Sequence, residues 1–264
     1  YPFYNAFLVS IVPNTVYLRY QGLMLWPPEV TMEAYTFTFK SSLIWYGYKN
    51  SILITFFGTI YNMILTVLCA YALTKPIPGG KFIRFAIVFT MYFSGGLIPS
   101  YLLIKDLKLM DTIASMILPT GINIMYMLII SNYFKSLPPA LEESAKIDGA
   151  TDLRILWSVI LPLSLPLLAT FTLYYAVERW NEWYNGMLFI RSFEKRPLQL
   201  VLRGIIQTTG QAMVTNELEQ YNITPFSEGI KMACVVVTMT PIILVYPFIQ
   251  KYFVSGMTVG AVKG

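Results

Sequence analysis

The feature that most constrains this 264-residue chain is a succession of predominantly apolar stretches of membrane-spanning length, interrupted by one compact polar island. A bilayer core about 30 Å thick takes roughly 20 mostly apolar helical residues. Residues 50–73, 85–104, 112–132, 155–190 and 232–250 approximate such stretches. The opening residues 1–12 read as the stub of another helix in a chain that begins partway through a longer native sequence, with no basic leader or small-residue cleavage site. Six native helices are expected, five of them complete, with both ends on one side. Residues 1–264 read as a single transmembrane domain without a soluble domain or an internal repeat.

Composition supports a bilayer as the solvent: 56% of residues are hydrophobic and 12% are charged. Cys69 and Cys234 lie inside separate apolar runs, lack metal-ligand spacing and read as small buried hydrophobes. The chain has no histidine, which removes the commonest general base and zinc ligand. A net charge of +5 with dispersed cations gives little support to nucleic acid binding and is compatible with loops touching anionic lipid.

The polar island runs from Leu137 to Pro162. Pro138 and Pro139 can begin a helix, Glu142 and Glu143 suit its first turn, and Lys146 lies in pairing register with both. Asp148-Gly149 then supplies a turn, and Asp152 is expected to cap a second helix starting near Leu153 and entering the membrane at Leu161-Pro162. Taken alone, such a segment could be no more than an amphipathic connection.

Glu143, Ser144, Ala145, then three residues, Gly149, nine residues, Val159, one residue, Leu161 and Pro162 reproduce the spacing of the EAA loop of binding-protein-dependent ABC importers. Ser144 and Val159 are small departures from the usual Ala and Ile. The chain thus resembles a permease subunit of that family. Asn50-Ser51-Ile52-Leu53-Ile54-Thr55, Trp180-Asn181-Glu182-Trp183 and the terminus Gly256 to Gly264 extend the likeness, particularly to maltose-permease G-like subunits and their oligosaccharide-importing relatives. The resemblance implies an all-α membrane protein with the six-helix type I ABC importer permease fold, its first helix truncated here. It also implies that Glu142, Glu143, Ser144, Ala145, Asp148 and Gly149 couple the chain to an ATPase, with Gly149 permitting a φ that other residues resist. Gly256, Thr258, Gly260 and Lys263 would form a second coupling element in the C-terminal tail.

By the same resemblance the chain sits as a multi-pass protein in a bacterial cytoplasmic membrane. Its partners would be a related permease subunit, an ATP-binding subunit dimer, an extracytoplasmic solute-binding protein, a carbohydrate and membrane lipid. The chain holds no Gly-x-x-x-x-Gly-Lys-[Ser/Thr] loop, so ATP and Mg would be used by the partner ATPase subunits, with no cofactor bound here and no enzyme activity of its own. The Lys75, Lys81, Arg84 loop carries cations without acids, which leans toward a cytoplasmic position for it and for the polar island.

Glu178, Arg179 and Glu182 stand inside an apolar run, where ionisable groups are costly and usually face a cavity or a partner. With Trp180, Asn181 and Trp183 beside them, Glu178 and Glu182 offer hydrogen bonds and flat rings suited to a sugar in the pathway. A structural account, an ion pair locking subunits and an interfacial aromatic belt, stands equally open. Residues 191–227 read as an extracytoplasmic loop able to contact the binding protein. Gly95, Gly96, Pro99, Pro119, Gly121, Pro162, Pro166, Pro241 and Pro247 fall inside the spans, as packing kinks or as bends around a pathway. The rival to an ATP-driven permease is a stand-alone secondary transporter or channel, which calls for inverted repeats or charged relays.

Overall fold

A computed structural model describes residues 1–19, 24–208 and 228–261, and among them every regular element is helical. In chain order these are α1(Pro2–Ser10), α2(Asn14–Arg19), α3(Glu33–Lys40), α4(Ser42–Ala72), α5(Gly80–Tyr92), α6(Leu97–Asp106), α7(Ala114–Ile117), α8(Ile124–Ser136), α9(Pro139–Ile147), α10(Asp152–Ile155), α11(Leu161–Leu163), α12(Leu165–Trp180), α13(Tyr184–Phe189), α14(Leu198–Thr208) and α15(Glu228–Ala261). The chain forms two compact units, one from residues 1–53, 111–113 and 180–246, the other from residues 54–110, 114–179 and 247 onward.

The expected spans take three forms. α4 is a single helix of 31 residues, long and apolar enough to cross a bilayer unaided. Three spans are bent pairs: α5 and α6 at 108°, α7 with its following 3-10 turn and α8 at 51°, and the Asp152–Leu163 stretch with α12 at 88°. The last, α15, carries 34 helical residues and passes Pro241 and Pro247 without interruption, so those two prolines do not break a span as the other Pro and Gly clusters do.

In the first unit, Leu43, Ile44, Trp180, Leu198, Val201, Ile205, Cys234 and Val237 share one core. Gly47 lets the start of α14 come close, since a Cβ there would lie 3.0 Å from the Leu198 Cα. Ser51 Oγ accepts the Leu198 N–H at 2.9 Å, while Asn50 donates to the Glu194 and Arg196 carbonyls at 2.7 and 3.1 Å. Asp111 closes a neighbouring turn by accepting from the Arg191 and Ser192 N–H groups, the Ser192 hydroxyl and Lys195. Burial pushes its carboxyl up, but those donors outweigh it and hold the acid well below the usual carboxylate range.

In the second unit the core runs from Val67, Ala70, Tyr71 and Leu73 of α4 and its end, through Met127, Ile130 and Phe134 of α8, to Ile155, Leu156, Ile160, Leu168 and Phe171. Lipid tails are as apolar as these side chains, so close packing and internal hydrogen bonds hold such a core rather than exclusion from water. Large apolar side chains remain outside it, including Phe82, Phe85, Tyr92 and Phe93 on and after α5, as a surface bathed by bilayer or covered by another subunit requires.

Prolines disturb the backbone ladder between α10 and α12. Pro162 and Pro166 donate no N–H, and the stretch before Pro162 widens into a π-helix over Leu156–Ile160. Side chains add hydrogen bonds to this stretch: Ser164 Oγ donates at 2.7 Å to the Ile160 carbonyl, which also takes the Ser164 N–H, and Tyr133 OH reaches across from α8 to the Leu163 carbonyl at 3.2 Å.

Candidate functional site

The polar island folds as two helices at one end of the second unit. α9 starts at Pro139, whose missing N–H costs nothing in a first turn, and it ends at Ile147, with Asp148 at its C-cap. Gly149 then adopts φ +77°, in the left-handed region, and its N–H bonds the Lys146 carbonyl at 3.0 Å. A Cβ at this glycine would meet nothing within 4 Å, so the backbone angle and not crowding calls for glycine. α10 begins at Asp152, one residue earlier than expected, and its cap is Thr151, whose Oγ1 accepts the Arg154 N–H. A Thr hydroxyl at the residue before the helix does the capping, and the Asp152 carboxylate is left for another partner.

That partner is Lys75, in the turn that follows α4. Its Nζ meets Glu142 Oε1, stands 3.6 Å from Asp152 Oδ1, and lies 4.2 Å from the centre of the Tyr71 ring. Lys146 reaches the same Glu142 oxygen at 3.3 Å, the i,i+4 pairing. Burial draws the Lys75 ammonium below the usual lysine value, with Asp152 opposing that shift and Lys146 adding to it. The two consecutive acids of α9 therefore part company: Glu142 turns inward to Lys75, while Glu143 is exposed with Ser144, Asp148 and Gly149. Ala145 points the other way and packs against the unit's core with Leu137 and Ala150.

Ile147 was not singled out from the sequence, yet it is 87% exposed at the end of α9, between Lys146 and Asp148. An apolar residue in the last turn, flanked by Lys146 and Asp148, was the available signal. The exposed surface of the helix pair thus combines acids, a hydroxyl, a bare glycine turn and aliphatic side chains, Ile147 the most exposed with Leu153 and Leu141 after it, a combination suited to a protein partner with a cleft for a helix.

The charged segment in the membrane is divided between the units, Glu178 and Arg179 ending the second and Trp180 to Trp183 belonging to the first. In the second, Tyr126 OH donates to Glu178 Oε1 at 2.6 Å, and the Tyr126 ring packs on Phe171, Tyr174 and Tyr175 with centroids 5.1, 5.7 and 5.2 Å away. Glu178 is exposed. Arg179 is only 4% exposed: it donates to Asn62 Oδ1 through Nε and Nη2 at 2.9 and 2.8 Å, and to the carbonyls of Met116, Ile117 and Thr120 at 2.8, 3.2 and 2.8 Å. Asn62 completes the arrangement by donating to the Thr120 and Gly121 carbonyls at 2.6 and 2.8 Å.

In the first unit Trp180 is 8% exposed and tilts against Tyr48 at 6.2 Å, a core position rather than a lining one. Asn181 is exposed and accepts from Gln199 at 3.1 Å. Glu182 receives the Asn185 N–H at 3.0 Å, and Trp183 carries the Arg203 guanidinium 3.9 Å above its ring. Of the tail residues, Gly256, Thr258 and Gly260 lie along the backbone of α15, and Lys263 falls outside the described residues, as do residues 209–227 of the 191–227 loop. No cluster of His, Cys, Asp or Glu able to hold a metal ion occurs among the described residues.

Comparison with known proteins places this arrangement in context. Residues 44–259 match the family model described as binding-protein-dependent transport system inner membrane component. Protein LplC of Bacillus subtilis (strain 168) is 41% identical over 94% of this chain and 84% of its own length. The polygalacturonan/rhamnogalacturonan transport system permease protein YtcP of the same organism is 42% identical over 91% of this chain and 85% of its own. Among solved structures, a chain of a bacterial ABC transporter involved in the import of the acidic polysaccharide alginate superposes with a TM-score of 0.86 at 37% identity, covering 96% of this chain and 90% of that one.

Proposed function

From the premise that the chain belongs to the family of binding-protein-dependent transport system inner membrane components, with the type I importer permease fold, we propose that it forms half of a sugar pathway and couples to a separate ATPase through α9 and α10. The observation that carries the coupling is the exposed face of the helix pair: Glu143, Ser144, Ile147 and Asp148 run into the left-handed turn at Gly149. A helix about two turns long, presented at the end of a membrane unit and tied into its core by Ala145, is the right size and chemistry to seat in a cleft. Glu142 and Ala145 would set the helix's orientation, and Glu143 would meet a cation of the ATPase.

The substrate class is an oligosaccharide. The relatives' transported molecules, polygalacturonan or rhamnogalacturonan and alginate, support that reading. Within this chain the exposed Glu178, with Tyr126 and Tyr174 beside it, offers the mixture of acceptor, hydroxyl and aromatic face that sugars use. Asn181, Glu182 and Trp183 belong to the same proposal, whereas the burial of Trp180 favours a packing role for it.

The remaining partners are a second related permease closing the pathway, an ATP-binding dimer using ATP and Mg, and a solute-binding protein contacted by the 191–227 loop, in a bacterial inner membrane; the 256–264 tail would provide the second contact with the dimer. ATP binding closes that dimer, the α9 surface follows its cleft, and the bent spans change access. The family leaves the stand-alone transporter or channel without support.

The test is purification of the full complex in nanodiscs, with Glu143→Lys and Gly149→Pro variants. A second permease and an ATPase are expected to co-purify. Both variants should insert into the membrane yet lose sugar-stimulated ATPase activity; normal stimulation in both would sink the assignment.

A further inference from the structure

We propose that Lys75 is a positioning residue that makes the α9–α10 pair and the end of α4 move as one body, so that motion received on α9 is delivered to α4. The inference rests on the coupling reading above and goes beyond it by naming a residue outside the polar island.

The geometry leads there in three steps. First, α9 needs a lateral tie. It is continuous with α8 through Leu137-Pro138, but its own packing into the core is limited to small and flanking side chains, Ala145 within it and Leu137 and Ala150 at its ends. Second, a single ammonium supplies that tie to three elements at once: Glu142 in the first turn of α9, Asp152 at the first residue of α10, and Tyr71 in the last turn of α4. Lys75 is anchored in turn, its N–H bonding the Ala72 carbonyl at 3.1 Å, and its side chain is 17% exposed. The tie is geometric: Lys75 and Glu142 are both part-buried, and the Tyr71 ring leaves the ammonium little room to leave the two carboxylates.

Third, α4 is the element through which a push would matter. Asn62 on α4 binds both Arg179 of α12 and the Thr120 and Gly121 carbonyls at the break between α7 and α8. Thr66, one turn on, shares a hydrogen bond with Tyr175, whose hydroxyl receives the Asn123 N–H at the start of α8. A displacement of α4 therefore reaches the elements bearing Tyr126 and Glu178. Without Lys75, α9 could follow an ATPase while α4 stayed behind.

The test uses the complete importer in nanodiscs and the variants Lys75→Met, Lys75→Arg, Glu142→Gln, Lys75→Met with Glu142→Gln, and the exchange Lys75→Glu with Glu142→Lys. ATP hydrolysis is measured without the binding protein and with it, loaded with trigalacturonate or with arabinotriose. Lys75→Met should leave unstimulated hydrolysis unchanged and cut the stimulated rate about tenfold, within the 5–150-fold range typical of coupling between sites. The double variant should be no worse than Lys75→Met, Lys75→Arg should retain most stimulation, and the exchange should restore part of it. Full stimulation in Lys75→Met, or losses that multiply in the double variant, would overturn the proposal.

A distance measurement reads the same claim without sugar. Spin labels at Ala72→Cys on α4 and Leu153→Cys on α10, with Cys69 and Cys234 replaced by Ser, should keep one separation when Mg-ATP and vanadate trap the complex. In Lys75→Met that separation should change on trapping; an unchanged separation refutes the tie. Should Glu143→Lys and Gly149→Pro both stimulate normally as well, the coupling reading itself fails; loss in either of them with a normal Lys75→Met defeats only the role of Lys75.

Discussion

Two broken spans of the same unit, α5 with α6 and α7 with α8, start from the same kind of sequence and arrive at opposite solutions. Both carry glycine and proline inside an apolar run, Gly95, Gly96 and Pro99 in one, Pro119 and Gly121 in the other. At the α7–α8 break the released backbone groups are met from elsewhere in the unit: Arg179 and Asn62 take the carbonyls of Met116, Ile117, Thr120 and Gly121, Tyr175 receives the Asn123 N–H, and the Asn123 side chain caps α8. At the α5–α6 break the chain turns by 108° among exposed residues, and the help is local, Ser100 Oγ donating to the Gly96 carbonyl at 2.8 Å. Glycine and proline thus mark where a membrane helix stops; whether the stop is rigid depends on side chains remote in sequence.

The strongest way to break that contrast is Arg179→Met. Each buried carbonyl left without a donor costs about 1–3 kcal/mol, and those of Met116 and Ile117 lose theirs while the Thr120 carbonyl keeps Asn62, so size-exclusion chromatography after detergent extraction is expected to recover little monodisperse protein. Normal recovery would mean that packing alone holds the α7–α8 break. Asn62→Leu should be milder, because Arg179 still reaches the Met116 and Ile117 carbonyls; a lowered thermal midpoint with assembly preserved is expected, and an unchanged midpoint would demote Asn62. Gly96 sits at φ +88° and ψ 177°, a region essentially reserved for glycine. Gly96→Ala should therefore strain the elbow by about 1–3 kcal/mol while sparing assembly, so transport turnover should fall more than the midpoint does. Gly95→Ala, without a positive φ, is expected to stay within about 0.5 kcal/mol of the parent; an equal loss in both would move the elbow's requirement from backbone angle to size.

Local features were the legible ones. The helix pair of the polar island, its glycine turn and the positions of three span breaks follow from proline, glycine and charge spacing, because each is decided within a few residues. The partners of Arg179 were not legible. From spacing alone it reads as a neighbour for Glu182 at i+3, and nothing nearby announces Asn62, 117 residues away, or the carbonyls of a broken helix. Trp180 illustrates the same limit: a tryptophan near charges reads as a pathway or belt residue, and its burial against Tyr48 depends on α4 being alongside. Likewise Glu142 and Glu143 are indistinguishable as neighbours in a first turn until Lys75 arrives from the end of α4 and claims one of them.

Gly149 turns by a positive φ in open space, with room for a side chain that its backbone angle discourages. The constraint is therefore one of handedness and not of volume, since the left-handed region penalises L-residues by about 1–2 kcal/mol and welcomes their mirror images. A semisynthetic chain bearing D-alanine at this position should keep the α9–α10 turn and its presented surface, while L-alanine, identical in size and composition, should loosen both.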